Sequence, residues 1–353
     1  MKIKGDTIHF EEHDMPFVSR FGISAATEMV LDFKAVQPLP FLYDIDQLAA
    51  FFRRGKKILF RCAKHPEQEY HTAAIPKNNG GTRQLSVPSR DLRGFQTKIK
   101  RQILEQLPVS AYAKAYTKGC TLSANALPHV GKRYLLKLDI AGFFDSITFE
   151  QVYTAAFHTG YFPKQIGVLL ASLCCLNNTL PQGACTSPAL SNLVMRNFDN
   201  SMGSWCEKRG ISYTRYCDDL SFSSNRPLFH VYQKARSMLQ EMGFELNEAK
   251  THFVTNANRQ CVTGLTVNEK ISVSADYKRK LRQEIYYTLK FGAGEHILRT
   301  QAVEFLSGAT PDEKRYLQHL CGKLHFVLQV EPENRWLQSA AKQLEQQLNR
   351  LKN

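Results

Sequence analysis

Apolar and polar residues alternate with a period of two at residues 134–140 and 211–223, and this alternation predicts β-strands. Residues 74–88 have the pattern of a hairpin with a Gly-containing, basic tip. Residues 134–140 form a predicted strand in which Asp139 lies on the face opposite Leu138. Residues 211–223 alternate on both sides of an Asp-Asp pair, which is therefore expected at the tip of a second hairpin.

Helical spacing of apolar residues predicts the remaining elements. One helix is expected over residues 90–107, before a proline, and another after Thr148, because Gln151 three residues later completes a capping-box signature. A further helix ends at Gly243, and the pattern is helical after Ser274. From residue 134 onward the predicted order is strand, helix, helix, hairpin, helix, strand, which indicates an α+β fold.

The charge of the chain favours a polyanionic partner. Its 353 residues include 46 Lys and Arg against 32 Asp and Glu, a formal net charge of +14. Nucleic acid is the leading candidate, although a merely soluble basic protein has the same composition. Nine scattered cysteines without a Cys-x-x-Cys pair suggest neither disulfides nor zinc. No long apolar stretch indicates a membrane segment, so a cytoplasmic protein is expected.

Three carboxylates are the candidate chemistry. Asp139 ends a predicted strand, and Asp218 and Asp219 occupy the predicted hairpin tip. Nucleotidyl transfer uses two divalent ions, and Mg²⁺ prefers such hard oxygen ligands. An Asp-Asp pair alone is weak evidence, because such pairs are common in turns.

The segments around these carboxylates resemble those of a known family. Residues 216–219 read Tyr-Cys-Asp-Asp, residues 138–145 read Leu-Asp-Ile-Ala-Gly-Phe-Phe-Asp, and residues 180–188 contain Pro-Gln-Gly followed by Ser-Pro. In this order and spacing they resemble the conserved boxes of reverse transcriptases. Asn-Ala-Leu-Pro-His at 125–129 and Val-Thr-Gly at 262–264 are similar to signatures of the retron type.

The resemblance implies a right-hand polymerase fold of class α+β, with fingers, an antiparallel palm sheet with packed helices, and a helical thumb. The expected domains are an N-terminal region with fingers over residues 1–130, a palm over 131–268 and a thumb over 269–353. A fingers helix inserted around residues 160–176 is expected within the palm.

The resemblance also assigns roles to individual residues. The implied catalytic residues are Asp139, Asp218 and Asp219, and the implied metal ligands are Asp139, Ile140, Asp218 and Asp219, holding two Mg²⁺ ions, with Mn²⁺ as an alternative. The implied nucleotide-binding residues are Lys77, Arg83, Phe144, Gln182 and Lys250. The implied contacts to RNA or the primer and template are Asn125, His129, Tyr216, Cys217, Val262, Thr263 and Gly264.

Several of these roles have a structural alternative. Lys77 and Arg83 match cations that grip the triphosphate, but they would also suit a solvated loop. Phe144 matches a steric gate against ribonucleotides or is a core residue. Lys250 matches a candidate proton donor to pyrophosphate, which a lysine can be if its surroundings lower its pKa. The segments at 125–129 and 262–264 could hold RNA or could only form a turn and a tight bend.

The function implied by the resemblance is synthesis of DNA on a structured non-coding RNA. Such enzymes use deoxynucleoside triphosphates and start from a guanosine 2′-hydroxyl, giving a branched RNA–DNA product, msDNA. An accessory effector protein, a host RNase H and a role in anti-phage defence are further expectations. Two other possibilities remain: another bacterial reverse transcriptase, of abortive-infection or intron-derived type, and a non-catalytic RNA-binding scaffold.

Overall fold

The structure is a computed structural model that describes residues 2–4, 7–9, 39–76, 81–308 and 310–351. The chain divides into two compact units. The first comprises residues 1–120, 136–222 and 228–252, and the second comprises residues 121–135, 223–227 and 253–353. Both units are discontinuous in sequence, so the chain crosses between them several times.

Most residues of a four-stranded sheet belong to the first unit. Near the N-terminus, β1 (Lys2–Lys4) pairs with β2 (Thr7–His9), and further along β3 (Tyr70–Pro76) pairs with β4 (Thr82–Pro88), both antiparallel. The four-stranded sheet has the order β6-β7-β5-β8 and consists of β5 (Tyr134–Asp139), β6 (Ser212–Tyr216), β7 (Asp219–Ser224) and β8 (His252–Thr255). The alternating stretches of the sequence therefore form the predicted strands.

Among its described residues, the first unit also contains ten helices, not counting short 3₁₀ turns. Most of these helices bury an apolar face. They are α1 (Ile45–Phe52), α2 (Lys56–Lys64), α3 (Arg90–Gln102), α5 (Phe143–Ser146), α6 (Phe149–Val152), α7 (Lys164–Ser172), α8 (Ser187–Val194), α9 (Arg196–Glu207), α10 (Phe229–Glu241) and the π-helical turn Tyr153–Phe157. The predicted capping box is present: the Thr148 hydroxyl accepts from the Gln151 amide, and the Gln151 side chain accepts from the Thr148 amide.

The second unit is mainly helical. Its helices are α4 (Leu122–Ala126), α11 (Ala275–Phe291), α12 (Ala293–Thr300), α13 (Glu313–Val330) and α14 (Arg335–Arg350). Two small hairpins pair β9 (Cys261–Val262) with β10 (Leu265–Thr266) and β11 (Leu306–Ser307) with β12 (Thr310–Pro311). A continuous apolar core joins α4, the first hairpin and the long helices, with Leu281, Leu320 and Leu344 fully buried or nearly so.

The predicted order of elements is wrong in one region. Two helices, α8 and α9, lie between α7 and the β6–β7 hairpin, where the sequence pattern predicted none. Their buried positions include polar Ser191, Asn192 and Asp199, which interrupt the apolar periodicity that identifies a helix.

Two further findings concern the chain as a whole. All nine cysteines lie in the described ranges and are free thiols. No helix in the described part of the chain is long and apolar enough to cross a bilayer.

Candidate active site

An open cavity of about 820 Å³ in the first unit brings the catalytic candidates together. The predicted site residues that line it are Arg83, Asp139, Ile140, Phe144, Gln182, Tyr216, Cys217, Asp218, Asp219 and Lys250. They come from five separate parts of the sequence: β4, β5 with α5, the loop before α8, the β6–β7 turn and the segment before β8. Convergence of polar groups from distant segments in one cavity is typical of a functional site.

Asp139 ends β5 and is largely buried. Its carbonyl oxygen accepts from the Asn247 amide at 2.8 Å, and both of its carboxylate oxygens lie 3.0 Å from the Nζ atom of Lys250. The Asp139 side chain is 10% exposed, whereas that of Lys250 is 60% exposed. A carboxylate in this position needs a cation nearby, because burial disfavours the charged form.

The two other carboxylates are placed by a tight turn between neighbouring strands. Cys217 and Asp218 form the turn, and Asp219 is the first residue of β7. The Ile140 amide donates to the Asp218 carbonyl oxygen at 3.1 Å, which joins the end of β5 to the turn. Burial raises the pKa of Asp219, and repulsion from Asp218 and Asp139 raises it further. The three carboxylates therefore act on one another electrostatically.

The donor set fits divalent cations, with one qualification. In the part of the chain that the structure describes, no three His, Cys, Asp or Glu side chains form a ready-made metal cluster. The ammonium of Lys250 instead lies 3.0 Å from both carboxylate oxygens of Asp139 and neutralises their charge. Oxygen ligands beside partly solvated space suit Mg²⁺, which retains some of its water. Ile140 could contribute only its carbonyl oxygen, since its side chain is a buried hydrocarbon.

The surroundings of Lys250 raise its pKa instead of lowering it. The hydrogen bond to Asp139 raises the pKa of Lys250, and the charges of Asp139, Asp218 and Asp219 raise it further, against a smaller opposing effect of burial. An ammonium with a raised pKa releases its proton less readily. The structure gives Lys250 the role of a counter-ion to the carboxylates.

The nucleotide-binding candidates that the structure describes face the same cavity. Arg83 lies exposed on β4 opposite Ile75, and Phe144 lies half-buried in α5. The neighbouring Phe143 is buried, with its ring 6.0 Å from that of Phe244. Both phenylalanines border the cavity, but Phe143 is buried whereas Phe144 is only half-buried. Lys77 lies outside the described residues.

The Pro-Gln-Gly segment is tied to the β3–β4 hairpin. The Ser86 amide donates to the Gln182 carbonyl oxygen at 2.7 Å. Gly183 has a φ of +125°, and a Cβ atom there would lie 2.5 Å from the Ser86 carbonyl oxygen. Gly183 therefore lies against the backbone of the chain's own strand β4. Only glycine fits this conformation and this spacing.

Sequence reasoning missed Tyr116. Its ring is 53% exposed on the cavity wall, its φ is +59°, and its hydroxyl donates to the Cys217 sulfur at 3.2 Å. Cys217 also has a positive φ, +61°, which costs on the order of 1–2 kcal/mol for a residue with a Cβ atom. Burial raises the pKa of Cys217 to about 12, so this sulfur is a neutral thiol. The contact of Tyr116 with Cys217 could not be predicted, because an isolated tyrosine in a loop belongs to no periodic pattern.

The other predicted RNA-contacting residues belong to the second unit and lie mostly inside it. His129 is fully buried with Nδ1 2.7 Å from the Ser223 hydroxyl, and Asn125 is 1% exposed. The Asn125 amide group donates to the Thr263 hydroxyl at 3.4 Å, so the two signature segments meet. Thr263 and Gly264 both have positive φ and form the two-residue turn of the β9–β10 hairpin. Buried Asn125 and His129 cannot contact RNA directly from these positions.

The family model and the relatives that match this chain are all reverse transcriptases. Residues 75–307 match the family model described as reverse transcriptase (RNA-dependent DNA polymerase). The chain is 32% identical to the retron Mx65 reverse transcriptase of Myxococcus xanthus over 75% of its own length and 62% of that protein, so it spans less than two thirds of this relative. It is 30% identical to the retron Ec86 reverse transcriptase of Escherichia coli over 84% of its own length and 87% of that protein.

Similar solved structures include two telomerases. An apo telomerase from Candida tropicalis, truncated from its C-terminal domain, aligns with a TM-score of 0.41 and 11% identity, covering 58% of this chain and 55% of that one. The Candida albicans telomerase in complex with a fragment of telomeric RNA aligns with a TM-score of 0.40 and 11% identity, covering 78% and 63%.

Proposed function

The chain belongs to the reverse transcriptase family, and from that premise we propose that it is a retron-type RNA-directed DNA polymerase that copies a cognate structured RNA into msDNA. The observation that carries the proposal is the cavity in which Asp139, Asp218 and Asp219 converge with Arg83 and Phe144. Three carboxylates beside a polyanionic substrate are unfavourable unless cations bind there. A non-catalytic RNA-binding scaffold would gain nothing from them.

In this proposal Asp139, Asp218 and Asp219 hold two divalent ions, Mg²⁺ or alternatively Mn²⁺, with the Ile140 carbonyl oxygen as a further ligand. When bound, such ions activate the attacking hydroxyl and neutralise the pyrophosphate that leaves. The three carboxylates would determine the positions of the two ions, because backbone hydrogen bonds join the end of β5 to the turn before β7 and so hold the carboxylates in place.

The remaining residues of the cavity bind and select the nucleotide. Arg83, together with Lys77, pairs with the triphosphate of the incoming deoxynucleotide, since a guanidinium can bind phosphate oxygens in pairs. Phe144 occupies the space that a ribose 2′-hydroxyl would need, and Gln182 lines the same pocket. Tyr216 and Cys217 lie beside the metal-binding carboxylates, where the primer end must arrive for its hydroxyl to attack.

The RNA partner is proposed from charge and from the second unit. Helix α11 of this unit carries five cations, Lys278, Arg279, Lys280, Arg282 and Lys290. Two exposed rings lie near them, Tyr286 in the same helix and Trp336 in α14. Lys290 lies 5.4 Å from the ring of Tyr286, and the Arg282 guanidinium 5.7 Å from that of Trp336. Cations and exposed rings together suit RNA, whose phosphates and unpaired bases they can bind.

Further partners follow from the retron relationship. The proposed DNA product stays joined to the RNA, a host RNase H removes copied template, and an accessory effector protein acts with the complex in anti-phage defence. The proposed site of action is the cytoplasm.

Sequencing of the nucleic acid that co-purifies with the protein tests the proposal. We expect one RNA species covalently joined to a short DNA copied from it. The Asp218→Asn/Asp219→Asn variant, purified in the same way, is the matched control and should carry the RNA without DNA. Heterogeneous RNA, or a single RNA without attached DNA on the wild-type protein, would contradict the retron assignment.

A further inference from the structure

Arg215, the penultimate residue of β6, is an arginine with no solvent-exposed surface. Its Nε atom lies 2.8 Å and 3.1 Å from the two carboxylate oxygens of Asp199, and its Nη2 atom lies 2.6 Å from one of them. Asp199, in α9, is equally buried. Burying such a pair gives little net stability, because desolvation of both ions offsets their attraction.

One further donor of Arg215 reaches the turn that carries Asp218, and another reaches Asn192 in α8. Nη1 donates to the Cys217 carbonyl oxygen at 2.9 Å, and Nη2 also donates to the Asn192 side-chain oxygen at 3.1 Å. Asn192 in turn donates from Nδ2 to the Ala115 carbonyl oxygen at 2.8 Å. Ala115 precedes Tyr116 in the chain.

These contacts hold Cys217 from two sides. The Tyr116 hydroxyl binds its sulfur, and Arg215 binds its carbonyl oxygen. A non-glycine residue with φ of +61° persists only where the surroundings determine its conformation, and Cys217 is such a residue. The peptide bond that follows Cys217 leads directly into Asp218. Any change in the φ and ψ angles of Cys217 would redirect the Asp218 carboxylate.

We propose that Arg215, held by Asp199 and Asn192, is a positioning residue that fixes the Cys217–Asp218 turn and so presents Asp218 to the divalent ion. The inference rests on the proposed metal role of Asp139, Asp218 and Asp219. Arg215 touches neither substrate nor ion. It acts by holding the backbone on which a ligand is mounted, and its guanidinium suits this task because it can bind one carboxylate and two other acceptors at once.

Mn²⁺ titration of the purified full-length protein, with free Mn²⁺ followed by electron paramagnetic resonance, tests the inference without using activity. The variant is Arg215→Met/Asp199→Asn, which removes both charges together and so leaves no buried ion without a partner. We expect it to fold, with a cooperative melt by circular dichroism, and to bind Mn²⁺ about ten- to hundredfold more weakly, the usual effect of losing a group that orients a metal ligand.

Tyr213→Phe is the matched control. The Tyr213 hydroxyl donates to the same Asp199 carboxylate at 2.8 Å, but Tyr213 does not bind Cys217 through this hydroxyl. Its loss should lower stability slightly and leave Mn²⁺ affinity unchanged. Arg215→Lys is the second variant, to be used if the double variant fails to fold: a lysine ammonium keeps the charge beside Asp199 but lacks the fork that also reaches Cys217, so Mn²⁺ affinity should again fall.

Each outcome separates the inference from the proposed function. A folded double variant, or a folded Arg215→Lys variant, with wild-type Mn²⁺ affinity overturns the positioning role and leaves the metal site intact. Equal weakening in Tyr213→Phe also overturns it, because the effect would then follow from general loss of packing. If the Asp139→Asn substitution removes none of the Mn²⁺ binding seen with the wild-type protein, or if the wild type binds no Mn²⁺, the proposed metal site itself is wrong.

Discussion

The ammonium of Lys250 lies 3.0 Å from each carboxylate oxygen of Asp139. A single cation thus engages the carboxylate that the proposed chemistry needs for a metal ion. The contact joins the end of β5 to the segment before β8, and Lys250 remains 60% exposed on its outer side. The arrangement makes Lys250 a competitor of the metal for Asp139.

Lys250→Met should therefore strengthen metal binding. Removing a positive charge beside three carboxylates, partly screened by solvent, is expected to tighten Mn²⁺ binding roughly two- to tenfold. Lys250→Arg, which keeps the charge, should bind Mn²⁺ as the wild type does. Mn²⁺ titration of both variants measures the effect, and weaker binding by Lys250→Met would show that the lysine supports the metal site instead of competing for it.

Phe144→Ala should admit ribonucleotides. Phe144 faces the cavity, so removing its ring opens space beside the sugar, and we expect the preference for deoxynucleotides to fall by roughly tenfold or more. Primer extension with competing ribonucleotides and deoxynucleotides measures it.

The adjacent Phe143 supplies the control for this experiment. Its ring is buried near Phe244, so Phe143→Leu should lower the melting temperature and leave nucleotide selection unchanged. Unchanged selection in Phe144→Ala would mean that Phe144 is not a gate.

Arg83→Ala should weaken binding of the incoming nucleotide. Arg83 lies on the cavity wall. In the proposed function its guanidinium pairs with the triphosphate before chemistry as well as during it, so its loss should raise KM for the deoxynucleotide roughly tenfold and change kcat less. Arg83→Lys should retain part of the affinity. Single-nucleotide extension over a range of nucleotide concentrations separates the two constants, and an unaltered KM would place Arg83 outside the nucleotide site.

His129 should make the stability of the protein depend on pH. Burial and, to a lesser extent, the charge of Lys132 together lower the pKa of His129 to about 4. As the pH falls, His129 therefore takes up a proton near pH 6.5 in the unfolded chain but only near pH 4 in the folded protein. This contribution to stability is present above pH 6.5 and is lost as the pH falls, by roughly 3 kcal/mol in total at pH 4.

Urea unfolding of the wild type and of His129→Gln at pH 7 and pH 5 measures this contribution. Because other buried histidines, His158 and His296, also have lowered pKa values, the comparison must be between the two proteins. The wild type should lose more stability than the variant over this interval. Parallel losses would mean that His129 is not buried in its neutral form.

The strands and the carboxylates were predictable from the sequence because each depends on a local pattern. Period-two alternation marked β5 and the β6–β7 hairpin, and the Thr148–Gln151 pair marked the start of α6. The cavity that gathers Asp139, Asp218 and Asp219 followed from their motifs, because these motifs place them at the ends of neighbouring strands.

The contacts that support the site were not predictable in the same way. A charged residue in an alternating strand normally indicates a solvent-facing position, so the complete burial of Arg215 could not be read from β6 alone. Its partner Asp199 lies in α9, a helix that the pattern failed to identify. The Asn125–Thr263 contact joins residues that are 138 positions apart, which only the fold can bring together.

The central claim is that Asp139, Asp218 and Asp219 hold the divalent ions for RNA-templated DNA synthesis. Its most direct test is extension of a labelled primer on an RNA template by the wild type and by Asp218→Asn/Asp219→Asn, with RNA binding measured on the same preparations. The account predicts extension that requires a divalent cation in the wild type, no detectable extension in the variant, and closely similar RNA affinity in both. Robust DNA synthesis by the double variant would contradict the account.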